Sequence, residues 1–361
     1  MATANQSNTT VKEVANKILD KGGEVREGEE LDAKAVSSWL RAQGVDIEGE
    51  PIVTQFSGGA SNWTYRLQYE GEGKSQDLIL RRPPKGTKAK SAHDMVREYT
   101  VQKSLKDAYP YVPKMVALCT DESVIGADFY VMERMEGIIP RANLPKGIDL
   151  DVEQTRALCT NVIDALVDLH QVDYKEHPDL VNLGRGEGYC ERQVTGWDKR
   201  YVKAKTPNVP SFGLVRQWLS KHTPADSKTC LIHNDWRFDN VILDAADPTK
   251  VIGVLDWEMA TLGDPLMDLG SALAYWVEED DNIIMQQSRR QPTHLEGMMT
   301  RDEVVDYYLK QSGLKIDNWT FYEVFGLFRL AGIVQQIYYR YYNKQTTNPA
   351  FKNFWLIVHV L

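Results

Sequence analysis

The sequence predicts an α+β protein built of two lobes. Its 361 residues are more than one small core accommodates. Between residues 51 and 132, short apolar runs broken by glycine and proline pairs predict an antiparallel sheet interrupted by one helix. After Gly137, apolar residues recur mainly at helical spacing, with one interruption by two short β runs.

The first lobe is expected to cover residues 31–134, after an N-terminal extension of residues 1–30 that is polar, acidic and loosely held. Apolar side chains fall on one face of a helix at the start of this lobe, and Gly44 ends that helix. The elements expected in order are a helix over 31–43, three strands within 51–82, a helix over 91–107, and strands at 115–119 and 128–132.

The second lobe, residues 135–361, is predicted to be mainly helical. Its two β runs, "NVIL" and "KVIGVLD", are joined by the turn "DAADPT" and therefore predict a hairpin. The helices expected here cover residues 151–170, 265–277, 301–312 and 319–342, and "FWLIVHVL" at the end of the sequence predicts a buried helix end.

Composition and charge exclude several classes of function. A net charge of −9 and a pI of about 5.4 argue against a general nucleic-acid binder. No apolar run approaches the roughly 18 residues of a membrane-spanning helix, so no membrane association is expected. Four widely spaced cysteines without a C-x-x-C pair argue against a zinc site or a disulfide framework and indicate a reduced, cytoplasmic setting.

The segment "CLIHNDWRFDNVILD", residues 230–244, carries the clearest chemical signal. Asn240 follows Asp235 by five residues, and Asp256 follows Asn240 by sixteen, after the hairpin. Phosphoryl transfer to a hydroxyl needs one carboxylate to take the proton, and an amide oxygen and a second carboxylate to hold the metal ion. We expect Asp235 to be the base and Asn240 and Asp256 to be ligands of Mg²⁺, which prefers hard oxygen donors.

These segments resemble a known family. "HNDWRFDN" followed by "VLDWE" is similar to the catalytic and metal-binding segments of the aminoglycoside phosphotransferase family, which has the protein-kinase-like fold. The resemblance runs over residues 31–345 and is strongest to the phosphotransferase domain related to that fused to acyl-CoA dehydrogenases. It implies an N-lobe with an antiparallel sheet and a helix that binds the nucleotide, and a mainly helical C-lobe with a catalytic hairpin that binds the acceptor.

The resemblance also implies a set of nucleotide-binding residues. Small residues in "FSGGASN" would let backbone N–H groups approach phosphate oxygens. Arg81 stands where kinases have the phosphate-binding lysine, Arg82 is the alternative, and Glu98 is the expected partner of Arg81. The full set is Ser57, Gly58, Gly59, Ser61, Asn62, Arg81 and Glu98, together with the backbones of Glu133 and Met135, which would hydrogen-bond adenine.

Four further residues are expected to support the site. His233 would brace the catalytic loop, and Asp268 would anchor it through backbone N–H groups. Arg237 would touch substrate or phosphate, or pair with Asp239 or Glu258. Glu258 itself would be a further metal or substrate contact.

Together these features predict an enzyme that uses ATP and Mg²⁺ to phosphorylate a hydroxyl group of a small molecule. The subgroup implies a hydroxyacyl-CoA, a CoA thioester, as acceptor. The alternatives are an aminoglycoside, choline or a sugar-like hydroxyl, or a nucleotide-binding pseudokinase that acts as an interaction module. The sequence carries no D-F-G…A-P-E activation segment, which argues against a protein substrate.

Overall fold

The computed structural model describes residues 19–56, 62–71, 75–85 and 93–361. The chain divides into two compact units. The first takes the described residues up to Ile138 together with Ile242–Asp247 and Ile252–Glu258, and the second takes the remainder. Most of the hairpin, which the sequence assigned to the second lobe, is therefore part of the first unit.

The first unit is built on a five-stranded antiparallel sheet with strand order β1-β2-β3-β5-β4. Its strands are β1 (Ile52–Gln55), β2 (Trp63–Glu70), β3 (Ser75–Arg82), β4 (Met115–Cys119) and β5 (Phe129–Glu133). Along β2 the side chains of Tyr65, Leu67 and Tyr69 are buried while their neighbours are not, which is the alternation of a half-buried strand. All five strands predicted from the sequence are confirmed.

Two helices complete this unit, α1 (Ala33–Ala42) and α2 (Met95–Leu105). Each begins at an aspartate whose side chain accepts a hydrogen bond from a backbone N–H of the first turn, Asp32 for α1 and Asp94 for α2. The buried side chains of Leu40 on α1 and Leu80 on β3 lie in the same apolar cluster. Both predicted helices are confirmed.

The described end of the N-terminal extension, residues 19–30, is bound to the sheet. Gly23 and Gln55 exchange two backbone hydrogen bonds, of 2.8 and 2.9 Å. The side chain of Gln55 also donates to a carboxylate oxygen of Glu29. The expectation of a loosely held extension is therefore wrong for this stretch, because its backbone pairs with β1.

The second unit is mainly helical, as predicted. Its first long helix, α3 (Val152–Gln171), begins with a capping box in which the side chains of Asp151 and Gln154 each accept from the other residue's backbone N–H. The other helices are α4 (Pro178–Val181), α5 (Tyr189–Ala204), α6 (Gly213–Lys221), α7 (Pro265–Leu273), α8 (Ile283–Ser288), α9 (Arg301–Ser312), α10 (Thr320–Tyr342) and α11 (Phe354–Val360). Among the described helices none is long and apolar enough to cross a membrane.

Four short strands flank the predicted catalytic loop. Strands β7 (Val241–Leu243) and β8 (Val251–Val254) form the expected hairpin. Strands β6 (Cys230–Ile232) and β9 (Thr261–Gly263) pair antiparallel, an element that the sequence did not predict. Helix α11 was expected to be buried, but only Val358 is buried along it.

Helices α7 and α10 touch through their backbones at a pair of glycines. A Cβ atom added to Gly270 would strike the carbonyl oxygen of Tyr322, and one added to Gly326 would strike that of Gly270. A side chain larger than hydrogen therefore cannot fit at either position without moving a helix. This crossing fixes Asp268 on α7 and Arg329 on α10 within one rigid pair of helices.

Candidate functional site

The catalytic loop follows β6, and its backbone is held by Asp268. The two carboxylate oxygens of Asp268 accept hydrogen bonds from the N–H groups of His233 and Asn234, at 2.9 and 2.8 Å. Asp268 is buried, and although burial alone would raise its pKa, the hydrogen bond with His170 and the electrostatic interactions with His170 and His233 lower that pKa. The predicted contact of Asp268 with loop N–H groups is confirmed.

His170, in the last turn of α3, contacts two buried side chains. Its Nε2 lies 3.1 Å from Asp268, and its Nδ1 lies 2.6 Å from the hydroxyl of Tyr308 on α9. All three side chains are buried. The loop is thus held by a chain of polar groups that begins on α9 and runs through α3 and α7.

Asn234 occupies a backbone conformation that few residues adopt. Its φ is 69°, in the left-handed region, where only glycine is free of strain and asparagine is among the best tolerated of the other residues. The side chain makes long hydrogen bonds of 3.4 Å with Tyr189 and the carbonyl of Met259. Asparagine and glycine therefore suit this position better than other residues do.

Asp235 and Asn240 are joined by hydrogen bonds across the loop. The Nδ2 of Asn240 donates to the backbone oxygen of Asp235 at 2.8 Å and to its Oδ2 at 3.2 Å. The N–H of Asp235 donates to Nδ1 of His233 at 3.3 Å. His233 is fully buried and also packs edge-on against Trp236, which is the bracing position expected of it.

Arg237 lies between two carboxylates and an aromatic ring. Its guanidinium is 3.3 Å from Asp235 and 3.0 Å from Asp239, and it lies 5.1 Å from the ring centroid of Tyr275. Burial raises the pKa of Asp239, and the charge of Arg237 opposes that rise. Of the two salt-bridge partners considered from the sequence, Asp239 is thus a confirmed partner.

Arg81 in the first unit contacts two of the predicted site residues. Its Nη2 lies 3.3 Å from Glu98 on α2 and 3.1 Å from Asp256. Burial lowers the pKa of this guanidinium, but Glu98, Tyr130 and Asp256 outweigh it and raise the pKa. For Glu98 burial dominates and raises the carboxyl pKa against the charge of Arg81. The predicted ion pair is present; its role in nucleotide binding stays a prediction.

Arg82, the alternative to Arg81, is engaged elsewhere. It pairs with Trp63 in the sheet register and its guanidinium lies 5.6 Å from that ring. It donates to the carbonyl oxygens of Pro83 and Ile125 at 3.3 and 3.2 Å. Among the described residues, neither Glu98 nor Asp256 pairs with Arg82 as they do with Arg81, so we retain Arg81 as the phosphate-binding candidate.

The segment after β8 carries Asp256 and Glu258. Asp256 has a φ of 65°, a strained conformation for any residue other than glycine. Trp257 anchors it, because its buried indole donates to the carbonyl of Val254 at 2.9 Å. Glu258 accepts a hydrogen bond of 3.1 Å from the amide of Asn62, whose Oδ1 in turn lies 2.9 Å from His93.

Asn62 is therefore engaged with protein groups. The other loop residues predicted to contact phosphates, Ser57, Gly58, Gly59 and Ser61, lie outside the described residues.

The predicted adenine contacts lie at the end of β5. The N–H of Glu133 already donates to the carbonyl of Lys114 at 2.9 Å, and the Glu133 carboxylate pairs with the Lys114 ammonium. Within the described chain the backbone of Met135 makes no hydrogen bond. The backbone groups that we still expect to hydrogen-bond adenine are therefore the carbonyl of Glu133, as acceptor, and the N–H of Met135, as donor.

Each of the two predicted Mg²⁺ ligands offers a free oxygen. Because Nδ2 of Asn240 faces two acceptors, its Oδ1 is left without a partner among the described residues. Oδ1 of Asp256 accepts a hydrogen bond from Arg81, and its Oδ2 has no partner among the described residues. Unpartnered amide and carboxylate oxygens are the donors that Mg²⁺ prefers, so both residues fit the ion by their chemistry.

An antiparallel sheet with two helices in the first unit, and a helical second unit carrying an H-x-D-x₄-N loop, define a chain of protein-kinase-like fold. Residues 52–316 match the model of the phosphotransferase enzyme family, and the chain belongs to that family. The chain is similar to the solved structure of a putative aminoglycoside phosphotransferase from Ralstonia eutropha JMP134. The two are 29% identical, superpose with a TM-score of 0.75, and match over 92% of this chain and 97% of that one. A macrolide 2'-phosphotransferase type I shares the fold, at 17% identity, a TM-score of 0.59 and coverage of 91% and 95%.

Curated relatives are longer proteins. The chain is 35% identical over 330 residues to acyl-CoA dehydrogenase family member 10 of Mus musculus, and this covers 90% of the chain and 30% of the relative. It is 34% identical over 326 residues to acyl-CoA dehydrogenase family member 11 of Homo sapiens, covering 88% and 40%. The chain thus spans about a third of the length of these relatives. They bear out the predicted subgroup.

Proposed function

We propose that this phosphotransferase-family chain uses ATP and Mg²⁺ to phosphorylate a hydroxyl group of a small molecule. The observation that carries the proposal is the loop in which Asn240 holds Asp235 and keeps its own Oδ1 free. In the step, the acceptor oxygen bonds to the γ-phosphorus, the bond from that phosphorus to the β,γ-bridging oxygen breaks, and ADP leaves. Asp235 takes the hydroxyl proton.

The other residues have positioning and charge-balancing roles in this proposal. Asn240 and Asp256 would hold Mg²⁺, which neutralises phosphate oxygens when it is bound. Arg81, kept in place by Glu98, would pair with a phosphate oxygen through a guanidinium that keeps its charge at every physiological pH. The carbonyl of Glu133 and the N–H of Met135 would bind adenine.

For the acceptor we propose a hydroxyacyl-CoA. The support is the likeness to proteins named acyl-CoA dehydrogenase family members, although the chain covers only a third of their length. All four cysteines are buried free thiols, which agrees with the cytoplasmic setting proposed from the sequence.

The test is ADP release by the purified chain with a panel of acceptors: a hydroxyacyl-CoA, an aminoglycoside, choline and a sugar. Turnover is expected only with the hydroxyacyl-CoA. Asp235→Asn should lower kcat by about 10²- to 10⁴-fold, the usual contribution of a general base. Full activity in Asp235→Asn refutes the assignment of the base, and turnover confined to the aminoglycoside refutes the acceptor.

Nucleotide binding without transfer is the competing function, and one contact favours it. Arg81 takes one oxygen of Asp256, so part of the charge that would attract a metal ion is already neutralised. Thermal-shift titration separates the two functions. The enzyme should show a stabilisation by ATP that needs Mg²⁺ and is lost in Asp256→Ala, whereas a metal-independent shift supports the competing function.

A further inference from the structure

Arg329 is a buried arginine at the catalytic loop that the sequence reasoning missed. It lies on α10 and is 5% exposed. Its Nη2 donates to the carbonyl oxygen of Asn234 at 2.7 Å, and its guanidinium lies 5.4 Å from the ring centroid of Trp197. That carbonyl belongs to the peptide bond that joins Asn234 to Asp235. The guanidinium therefore contacts the backbone next to the candidate base.

Arg329 has fewer partners than its burial requires. Among the described residues no carboxylate is within ion-pair distance of it, and one carbonyl and one ring face are its contacts. Its Nε and Nη1 make no hydrogen bond to the described residues, yet neither is sealed from solvent. Buried charges are normally paired, because removing an ion from water without a counter-ion is costly. The guanidinium of Arg329 can therefore donate hydrogen bonds to an oxygen atom of a ligand.

Tyr275 is a second unpartnered group near the same loop. Its ring lies under Arg237, and its hydroxyl has no hydrogen-bond partner in the described part of the chain and is not sealed from solvent. Burial and the charge of Asp235 raise the pKa of this phenol, while Arg329, Arg237 and Arg290 oppose the rise. The Tyr275 hydroxyl is therefore free to bind a ligand beside Arg237.

We propose that Arg329 and the hydroxyl of Tyr275 bind an acyl oxygen of the acceptor, either a carboxylate or a thioester carbonyl. This inference rests on the proposed function and defines the acceptor class further. Because Arg329 touches the peptide of Asp235, the acyl oxygen must lie only a few bonds from the hydroxyl that is phosphorylated. A cationic aminoglycoside would instead place ammonium groups beside these guanidinium groups, which repels it.

The experiment compares three acceptors on the full chain: a short hydroxy acid, its CoA thioester and the matching diol, which has no acyl oxygen. Arg329→Gln keeps a donor for the carbonyl of Asn234 and removes the charge. We expect KM for the acid and the thioester to rise about 10- to 100-fold, the effect of losing one charge-assisted hydrogen bond. The diol should keep its KM and kcat, and a larger effect on the acid than on the thioester identifies a carboxylate.

Two further variants separate binding from support of the loop. Arg340→Gln is the matched control, because Arg340 is exposed and lies on the same helix about 17 Å further along. Tyr275→Phe removes only the unpartnered hydroxyl, and it should raise KM for the acid without changing the melting temperature. An equal fall of kcat for all three acceptors in Arg329→Gln overturns the proposal, since it shows that Arg329 only shapes the loop.

Calorimetric titration of the hydroxy acid distinguishes this proposal from the proposed function. If the wild-type chain binds the acid but transfers no phosphoryl group, and Arg329→Gln abolishes binding, the acceptor role of Arg329 stands and phosphoryl transfer is refuted. If the wild-type chain neither binds nor phosphorylates the acid or the thioester, the acyl-oxygen site is refuted, whatever other hydroxyl it phosphorylates.

Discussion

Removal of the charge of Asp268 should loosen the catalytic loop by a predictable amount. Its oxygens accept from the N–H groups of His233 and Asn234 and from His170. In Asp268→Asn one oxygen becomes a donor, so at least one hydrogen bond to a charged acceptor is lost. At about 1.5–3 kcal/mol for such a bond, we expect the free energy of unfolding to fall by about 2 kcal/mol, and by more in Asp268→Ala.

The assay is urea denaturation followed by tryptophan fluorescence, with Asp149→Asn as an exposed control. With a slope of about 1–3 kcal/mol per molar, the midpoint should fall by roughly 1 M in Asp268→Asn and stay unchanged in the control. Because folding lowers the pKa of Asp268, its stabilising effect is complete above the unfolded pKa of about 4 and is lost as the pH falls through the folded pKa. Equal midpoints of wild type and Asp268→Asn at pH 7 refute the reasoning.

Substitutions of Gly270 and of Asn234 give two further predictions about stability. Gly270→Ala should lower the free energy of unfolding by about 1–3 kcal/mol because the new methyl group strikes the carbonyl of Tyr322. Gly213→Ala should leave it unchanged, because the nearest atom to the new methyl group would be the Ser211 hydroxyl, 3.7 Å away. Thermal or urea unfolding of the pair measures this, and equal stability contradicts the close helix contact. Asn234→Ala should destabilise by about 1–2 kcal/mol and Asn234→Gly should not, since a φ of 69° suits glycine; an equal loss in both would point instead to the side-chain hydrogen bonds.

The parts of the site predicted from the sequence lie in contiguous motifs. The spacing from Asp235 to Asn240 fixes which side chains meet across one loop, and their hydrogen bonds follow directly. The ion pair of Arg81 with Glu98 was implied by the family resemblance, in which Arg81 stands where kinases have the phosphate-binding lysine.

Other parts depend on residues far apart in the chain. Strands β6 and β9 have three residues each and are mostly buried, so no alternation marks them. Arg329 contacts Asn234 across 95 positions, which no local pattern encodes. A signal did exist: Arg329 is a single charge within the apolar run "FGLFRLAGIV", and a charge on a helix face that is otherwise buried needs a polar partner.

The glycine crossing of α7 and α10 has a consequence for how acceptor preference can change. Asp268, which holds the backbone beside Asp235, and Arg329, which faces the proposed acyl oxygen, each lie within one helical turn of a crossing glycine. The two helices cannot slide past each other without separating at that contact. New preferences must therefore arise by exchanging side chains, while the backbone positions that carry those side chains stay the same in every such variant.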